Sequence, residues 1–128
     1  MKAPHVGKDQ RPSVWVGHIV LETDRMDDTA AFMLKLGMRS IFRGPEVSVL
    51  ELRGGTHLVI LAKDKVVAGD ASFDLMVEDL QATHAHLSSL GLAPSPIEPA
   101  IAGHTCFKVR EPAGHVITFF SNHVSGPV

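Results

Sequence analysis

Tyrosine is absent from the sequence, and cysteine occurs once, as Cys106. A single cysteine cannot form an internal disulfide or a cysteine-rich zinc site. The charges nearly balance, with 12 basic and 14 acidic residues and a formal net charge of −2. The chain therefore lacks the excess of positive charge that is typical of a nucleic-acid-binding protein.

Long apolar runs are also missing. No run approaches the roughly 18 residues that a membrane-spanning helix needs, so we do not expect an integral membrane protein. The polar segment from Met1 to Val14 has no apolar stretch typical of a secretory signal, which favours a cytoplasmic location. Hydrophobic residues make up 45% and charged residues 20% of the 128 positions, a balance typical of a folded globular domain.

The chain repeats itself at an offset of 54 positions. This offset places His18–Thr23 over Ser72–Val77, and both segments alternate in polarity as half-buried strands do. The same offset aligns Gly37 with Gly91, each after a stretch that begins with acidic residues and has helical periodicity. Acidic residues favour the N-terminus of a helix, and glycine favours the left-handed conformation that ends many helices.

The sequence pattern of each half predicts one strand, one helix and three further strands, in the order βαβββ. The helices are predicted at 28–36 and 80–90, and the strands at 18–23, 39–43, 47–53, 56–62, 72–77, 93–97, 104–110 and 116–121. Gly54-Gly55 and Glu111–Gly114 predict the turns before the last strand of each half. We therefore predict a flexible tail at 1–13, a first module at 14–62, a linker at 63–70, a second module at 71–122 and a tail at 123–128.

This arrangement resembles the vicinal oxygen chelate superfamily, which includes glyoxalase I, extradiol dioxygenases, and fosfomycin- and bleomycin-resistance proteins. The resemblance rests on His18 in the first strand, Phe32 in the first helix, the helix endings Leu36-Gly37-Met38 and Leu90-Gly91-Leu92, and Phe73–Asp79. In addition, Arg110-Glu-Pro-Ala-Gly-His-Val-Ile-Thr-Phe119 looks like the family's Asp-Pro-Asp-Gly-Asn-x-Ile-Glu-Leu signature. The resemblance implies an α+β fold, in which two tandem βαβββ modules form curled mixed sheets around a cavity.

Metal-dependent members of that superfamily hold a divalent ion with His, Glu or Gln from the first and fourth strands of each module. His18 matches the first of these positions. The second falls on Val59, which cannot ligate, unless a shift of two residues brings His57 there. The remaining two positions fall on hydroxyl residues, Ser72 and Thr118. The resemblance therefore implies either no cofactor or one divalent metal ion, held in the standard site or in a nonstandard one.

Two acidic residues interrupt apolar strands and are the candidate catalytic groups. Asp74 lies between Phe73 and Leu75, and a carboxylate facing a cavity is costly unless it is hydrated, paired or coordinated. Glu51 lies on the strand that begins at Val47. Either carboxylate could move a proton next to a carbonyl, or Asp74 could join His18 and His57 as a metal ligand. Each also has a structural alternative, namely an ordinary polar partner for Asp74 and solvent exposure for Glu51.

The resemblance leaves two functions open. The first is a binding protein for a small organic molecule that needs no metal, similar to the bleomycin-resistance branch. The second is a metal-dependent lyase, isomerase or dioxygenase, with His18 and His57 as ligands. Both predict the same cavity lining: His18, Val20, Glu22, His57, Val59, Ser72, Asp74 and Thr118.

Aromatic residues are scarce, at 5% with a single tryptophan, which argues against a cavity that stacks a large planar drug. The expected partners are a small organic molecule and a second copy of the chain, because family members bury the apolar surface of the curled sheets by pairing. We expect neither a nucleic acid nor a membrane as a partner.

Overall fold

The structure is a computed structural model that describes residues 9–128. Most of the predicted N-terminal tail, residues 1–8, lies outside this range. The first half contains strand β1 (His18–Thr23), helix α1 (Met26–Lys35) and strands β2 (Arg39–Phe42), β3 (Val47–Glu51) and β4 (His57–Ala62). The second half contains strand β5 (Leu75–Val77), helix α2 (Leu80–Ser89) and strands β6 (Glu98–Pro99), β7 (Thr105–Arg110) and β8 (Val116–Ser121).

The strands form two four-stranded mixed sheets with the same topology. The order is β1-β4-β3-β2 in the first sheet and β5-β8-β7-β6 in the second. In each sheet the first and last strands of the module pair in parallel, and the other pairs are antiparallel. The tandem α+β fold expected from the repeat is confirmed, and within residues 9–128 the two sheets stay open.

The helix boundaries follow the local sequence signals. Asp79 caps α2, since its carboxylate accepts a hydrogen bond of 2.9 Å from the backbone N–H of Ala82. Gly37 and Gly91 follow the two helices with φ of 110° and 75°, values that a residue with a Cβ rarely adopts. These two glycines therefore end the helices where the repeat predicts.

Each sheet packs one face against its own helix and leaves the other face uncovered by that helix. In the first module the buried face meets α1 through Leu21, Ala30, Met33, Leu50, Leu58 and Ile60. In the second module the buried face meets α2 through Leu80, Leu87, Phe107, Val109, Ile117 and Phe119. Because side chains alternate along a strand, the intervening residues point to the opposite face of each sheet.

Two strands of the second half differ from the predicted ones. The stretch 93–97 is not a strand, and a two-residue strand at Glu98–Pro99 takes its place. Pro94 and Pro96 have no N–H to donate to a ladder, and Ala93 has a φ of 51°. The strand predicted at 72–77 begins only at Leu75, so Ser72, Phe73 and Asp74 precede β5.

A buried polar network joins the two modules. The Glu111 carboxylate is 2% exposed. It accepts hydrogen bonds from the Thr29 hydroxyl at 2.9 Å and from the His115 backbone N–H at 3.1 Å. The Thr29 hydroxyl also pairs with the Thr23 hydroxyl at 2.8 Å. His115 Nε2 lies 2.7 Å from the Glu22 carbonyl, so strand β1 and helix α1 are both tied to the β7–β8 turn.

Candidate functional site

The face of the first sheet that points away from α1, called the open face below, carries most of the predicted site residues. Val20 and Phe42 on this face are 45% and 57% exposed. Both belong to the apolar strip, a row that crosses the four strands through Val20, Val59, Val49 and Phe42. The residues of the open face are His18, Val20 and Glu22 on β1; Arg39 and Phe42 on β2; Val47, Val49 and Glu51 on β3; and His57, Val59 and Leu61 on β4.

The strand register places His57 directly beside His18. In the parallel β1–β4 pair, His18 is opposite His57, and Val20 is opposite Val59. The two imidazole rings lie edge to face, with centroids 5.9 Å apart and planes at 77°. Of the two residues that the sequence leaves open for this position, His57 is therefore the neighbour of His18.

Glu51 continues this polar row on the next strand. It lies opposite His57 in the β3–β4 pair and opposite Arg39 in the β2–β3 pair. The Glu51 carboxylate is 2.9 Å from His57 Nε2 and forms an ion pair with the Arg39 guanidinium. These contacts lower the pKa of Glu51, first through the hydrogen bond from Arg39 and then through that from His57. Glu51 is therefore a paired carboxylate and not an isolated one.

The row Arg39, Glu51, His57 and His18, called the polar row below, combines several useful chemical groups. A guanidinium binds carboxylates and other planar anions with paired hydrogen bonds. Imidazoles exchange protons near neutral pH. The polar row borders the apolar strip, so a molecule with one polar end and one apolar end would match both surfaces. Arg39 is absent from the sequence-based candidates, and only the β2–β3 register reveals it.

Three of the predicted lining residues, Ser72, Asp74 and Thr118, lie outside the open face. Ser72 precedes β5, and its hydroxyl donates a hydrogen bond of 3.4 Å to the Val20 carbonyl. Asp74 lines a crevice of about 590 Å³ between the modules, whose walls include neither His18 nor His57. Thr118 is on β8, opposite Lys108. Glu22 is on the open face near Lys63, with 4.0 Å between the charged atoms.

The residues found at the family's metal positions do not fit its standard metal centre. His18 and its neighbour His57 each supply an imidazole, but Ser72 and Thr118 at the other two positions supply only hydroxyls. Among residues 9–128, no group of three or more His, Cys, Asp or Glu side chains is arranged to hold a metal ion.

A second crevice lies between the two terminal segments and encloses about 760 Å³. Its walls include Trp15, Met76 and Val124, together with the ion pair between Arg53 and Glu78 at 2.6 Å. The guanidinium of Arg53 lowers the pKa of Glu78.

Within the described part of the chain, no helix is long and apolar enough to cross a bilayer.

Comparison with known proteins identifies the fold. No family model and no curated protein matches the sequence. A lactoylglutathione lyase from Agrobacterium tumefaciens aligns with a TM-score of 0.75 and 15% identity, over 91% of this chain and 100% of that one. A bleomycin resistance determinant encoded on transposon Tn5 aligns with a TM-score of 0.71 and 21% identity, over 87% and 100% of the chains.

A bleomycin-binding protein complexed with bleomycin also aligns, with a TM-score of 0.69 and 21% identity over 87% of this chain and 100% of that one. The chain has the fold of the vicinal oxygen chelate superfamily, as the sequence resemblance implies. At these identities the likeness concerns the fold, and the chemistry has to be argued from the residues themselves.

Proposed function

We propose that this protein is a glyoxalase- and bleomycin-resistance-like protein that binds a small organic molecule on the open face, without the standard metal centre. The observation that carries the proposal is the polar row beside the exposed apolar strip. Ligand sites in proteins combine an apolar lining with a few polar groups that fix the orientation of the ligand. Here the apolar strip would hold the body of the molecule, and the polar row would hold its polar end.

The paired state of Glu51 favours binding over catalysis by that carboxylate. A general base works best when its pKa lies near the working pH, so a lowered pKa makes a carboxylate a weaker base. Glu51 already accepts from Arg39 and contacts His57, and its lowered pKa keeps it ionised and bound to those two partners. In this proposal Glu51 positions the His57 ring, and the imidazoles and the guanidinium make the contacts with the ligand.

The proposal includes a homodimer in the cytoplasm. Val20, Ile41 and Phe42 leave apolar surface of the first sheet exposed, at 45%, 51% and 57%. Apolar surface that clusters on one face usually marks a binding site or a subunit interface. A second copy that covers part of this face would turn an open surface into an enclosed site, which is the arrangement we propose.

The proposal is tested with a library of small organic fragments, using backbone amide shifts in NMR spectra. We expect saturable shifts that cluster on β1, β3 and β4. His57→Ala should weaken these fragments by about tenfold, because it removes a ring that the ligand contacts and frees Glu51. His86→Ala is the matched control, since His86 is an exposed residue of α2. The proposal is wrong if no fragment shifts the open face, or if both substitutions have the same effect.

A metal-dependent lyase, isomerase or dioxygenase is the second candidate, favoured by one specific observation. The register brings His18 and His57 side by side, and Glu51 lies next to His57. Elemental mass spectrometry of protein purified without chelator or nickel resin separates the two candidates. About one equivalent of metal per chain that disappears in His18→Ala would favour this enzyme, and substrate screens with adducts of oxoaldehydes and thiols and with catechols would follow.

A further inference from the structure

The crevice between the two modules, called the inter-module crevice below, is built from both halves of the chain. Its volume of about 590 Å³ is in the range of small-molecule sites. Ile19 and Leu36 contribute apolar surface from the first module, and Leu75 and Phe119 contribute it from the second. These side chains belong to the helix-facing side of the sheets or pack against the core, so the crevice does not share the open face.

The wall of the inter-module crevice carries charges of both signs. Two charged side chains line it, Asp74 and Arg53. Arg53 is neutralised by its ion pair with Glu78. The Asp74 carboxylate is exposed, and among residues 9–128 it has no hydrogen bond or ion pair. Of the two charged groups in the wall, Arg53 has a partner and Asp74 has none among residues 9–128.

The end of helix α1 also lies at the crevice. Leu36 and Gly37 line the crevice directly after the last helical residue, Lys35. The last carbonyls of a helix carry partial negative charge, which favours a cation nearby. Lys35 lies in the last turn, but it is exposed and is not part of the wall. The Asp74 carboxylate is therefore the group of the wall that favours a cation, and Lys35 already lies at the helix end.

We propose that the inter-module crevice is a second binding site, which takes a small molecule with an apolar body and a protonated amine. The amine pairs with Asp74 near the end of α1, and the apolar body packs against Ile19, Leu36 and Leu75. The site is separate from the open face, because its walls contain none of the residues of the polar row. It also gives Asp74 a different role from that of a proton-transfer group or metal ligand.

The test uses the full chain with phenethylamine as the probe and phenethyl alcohol as its uncharged match. Amide shifts are followed during titration, and we expect the amine to shift Gly37, Asp74 and Leu75. The amine should bind about fivefold more tightly than the alcohol, the size expected for one partly exposed ion pair. Added salt should reduce this difference, because it screens exposed charges.

Asp74→Asn is the informative variant, since it keeps the size of the side chain and removes its charge. We expect it to abolish the preference for the amine. Asp64→Asn is the matched control: it makes the same change in charge at an exposed residue outside the crevice wall, and it should retain the preference. Asp74 is exposed and precedes β5, so the substitution leaves the core intact.

This proposal would be overturned by equal affinity for the amine and the alcohol, by the same loss in both variants, or by no saturable shift of the crevice residues. These results are distinguishable from failure of the proposed function, because that function is tested by the amide shifts of residues on the open face. His57→Ala should leave binding of phenethylamine unchanged. If His57→Ala abolished it, the amine would belong to the open face and the second site would be wrong.

Discussion

Replacing Thr29 by valine removes a buried hydroxyl that joins the two modules. Thr29 is 0% exposed, and its hydroxyl donates to Glu111 at 2.9 Å and pairs with Thr23 at 2.8 Å. Valine has almost the same shape as threonine, so the substitution opens no cavity. It leaves one carboxylate oxygen of Glu111 and the hydroxyl of Thr23 without this partner in a site that water does not reach.

The expected cost is worked from these two contacts. A hydrogen bond to a charged group contributes about 1.5–3 kcal/mol, and a neutral pair contributes about 1 kcal/mol. Their sum gives a decrease of about 2.5–4 kcal/mol in the free energy of unfolding for Thr29→Val. Glu111 keeps its second hydrogen bond, from the backbone N–H of His115, which limits the loss.

Urea unfolding followed by far-UV circular dichroism measures this change. Fluorescence is the poorer probe, because the single tryptophan, Trp15, is 68% exposed in the native state. Thr105→Val is the matched control, since Thr105 is exposed on β7 and its hydroxyl has no hydrogen bond among the described residues. The control should stay within about 0.5 kcal/mol of the parent. Equal effects of Thr29→Val and Thr105→Val would refute the role assigned to the network.

Three further predictions concern pH, assembly and a turn. The pKa of Glu51 is lowered in the folded state, so its ion pairs stabilise the protein at neutral pH and are lost as the pH falls through that pKa. Glu51→Gln removes this titrating group. The free energy of unfolding, measured with urea at a series of acidic pH values, should therefore fall less steeply with pH in Glu51→Gln than in the parent. Phe42→Asp should convert the proposed homodimer to a monomer in sedimentation velocity, whereas Ile101→Asp, at an even more exposed apolar residue outside the open face, should not. Gly114→Ala should lower stability by about 1–3 kcal/mol, because Gly114 has a φ of 96° and an added Cβ would lie 2.8 Å from that of Ala68.

The sequence predicts the fold well because the fold depends on local signals. Alternating apolar residues define the strands, and Gly37 and Gly91 need a left-handed conformation that few other residues adopt. The repeat adds a check, because each half supports the assignment of the other. The prediction is less accurate at 93–97, where Pro94 and Pro96 prevent regular pairing that apolar alternation alone would suggest.

The site is harder to predict, because its geometry depends on contacts between distant residues. Sequence leaves His57 and Val59 as alternatives, and only the pairing of β1 with β4 places His57 beside His18. Glu111 reads as a turn residue in sequence, yet it is buried through a contact with Thr29, 82 positions earlier. Such contacts have no local pattern from which they could be inferred.

The position of Asp74 is hard to predict for the same reason. Its alternation with Phe73 and Leu75 predicts a strand residue that faces a shared cavity. In the structure β5 begins after it, and Asp74 lines the inter-module crevice instead. The start of a strand is set by the partner strand, and β8 pairs only with Leu75–Val77 in this ladder.

The central claim is that the open face binds an organic molecule without the standard metal centre. The most direct measurement compares the dissociation constants of the fragments that shift β1, β3 and β4, in protein stripped with a chelator and in protein loaded with zinc. The account predicts equal constants in both preparations, with shifts confined to the open face. A loss of affinity of about tenfold or more on stripping, restored by zinc, would contradict it and would favour the metal-dependent enzyme.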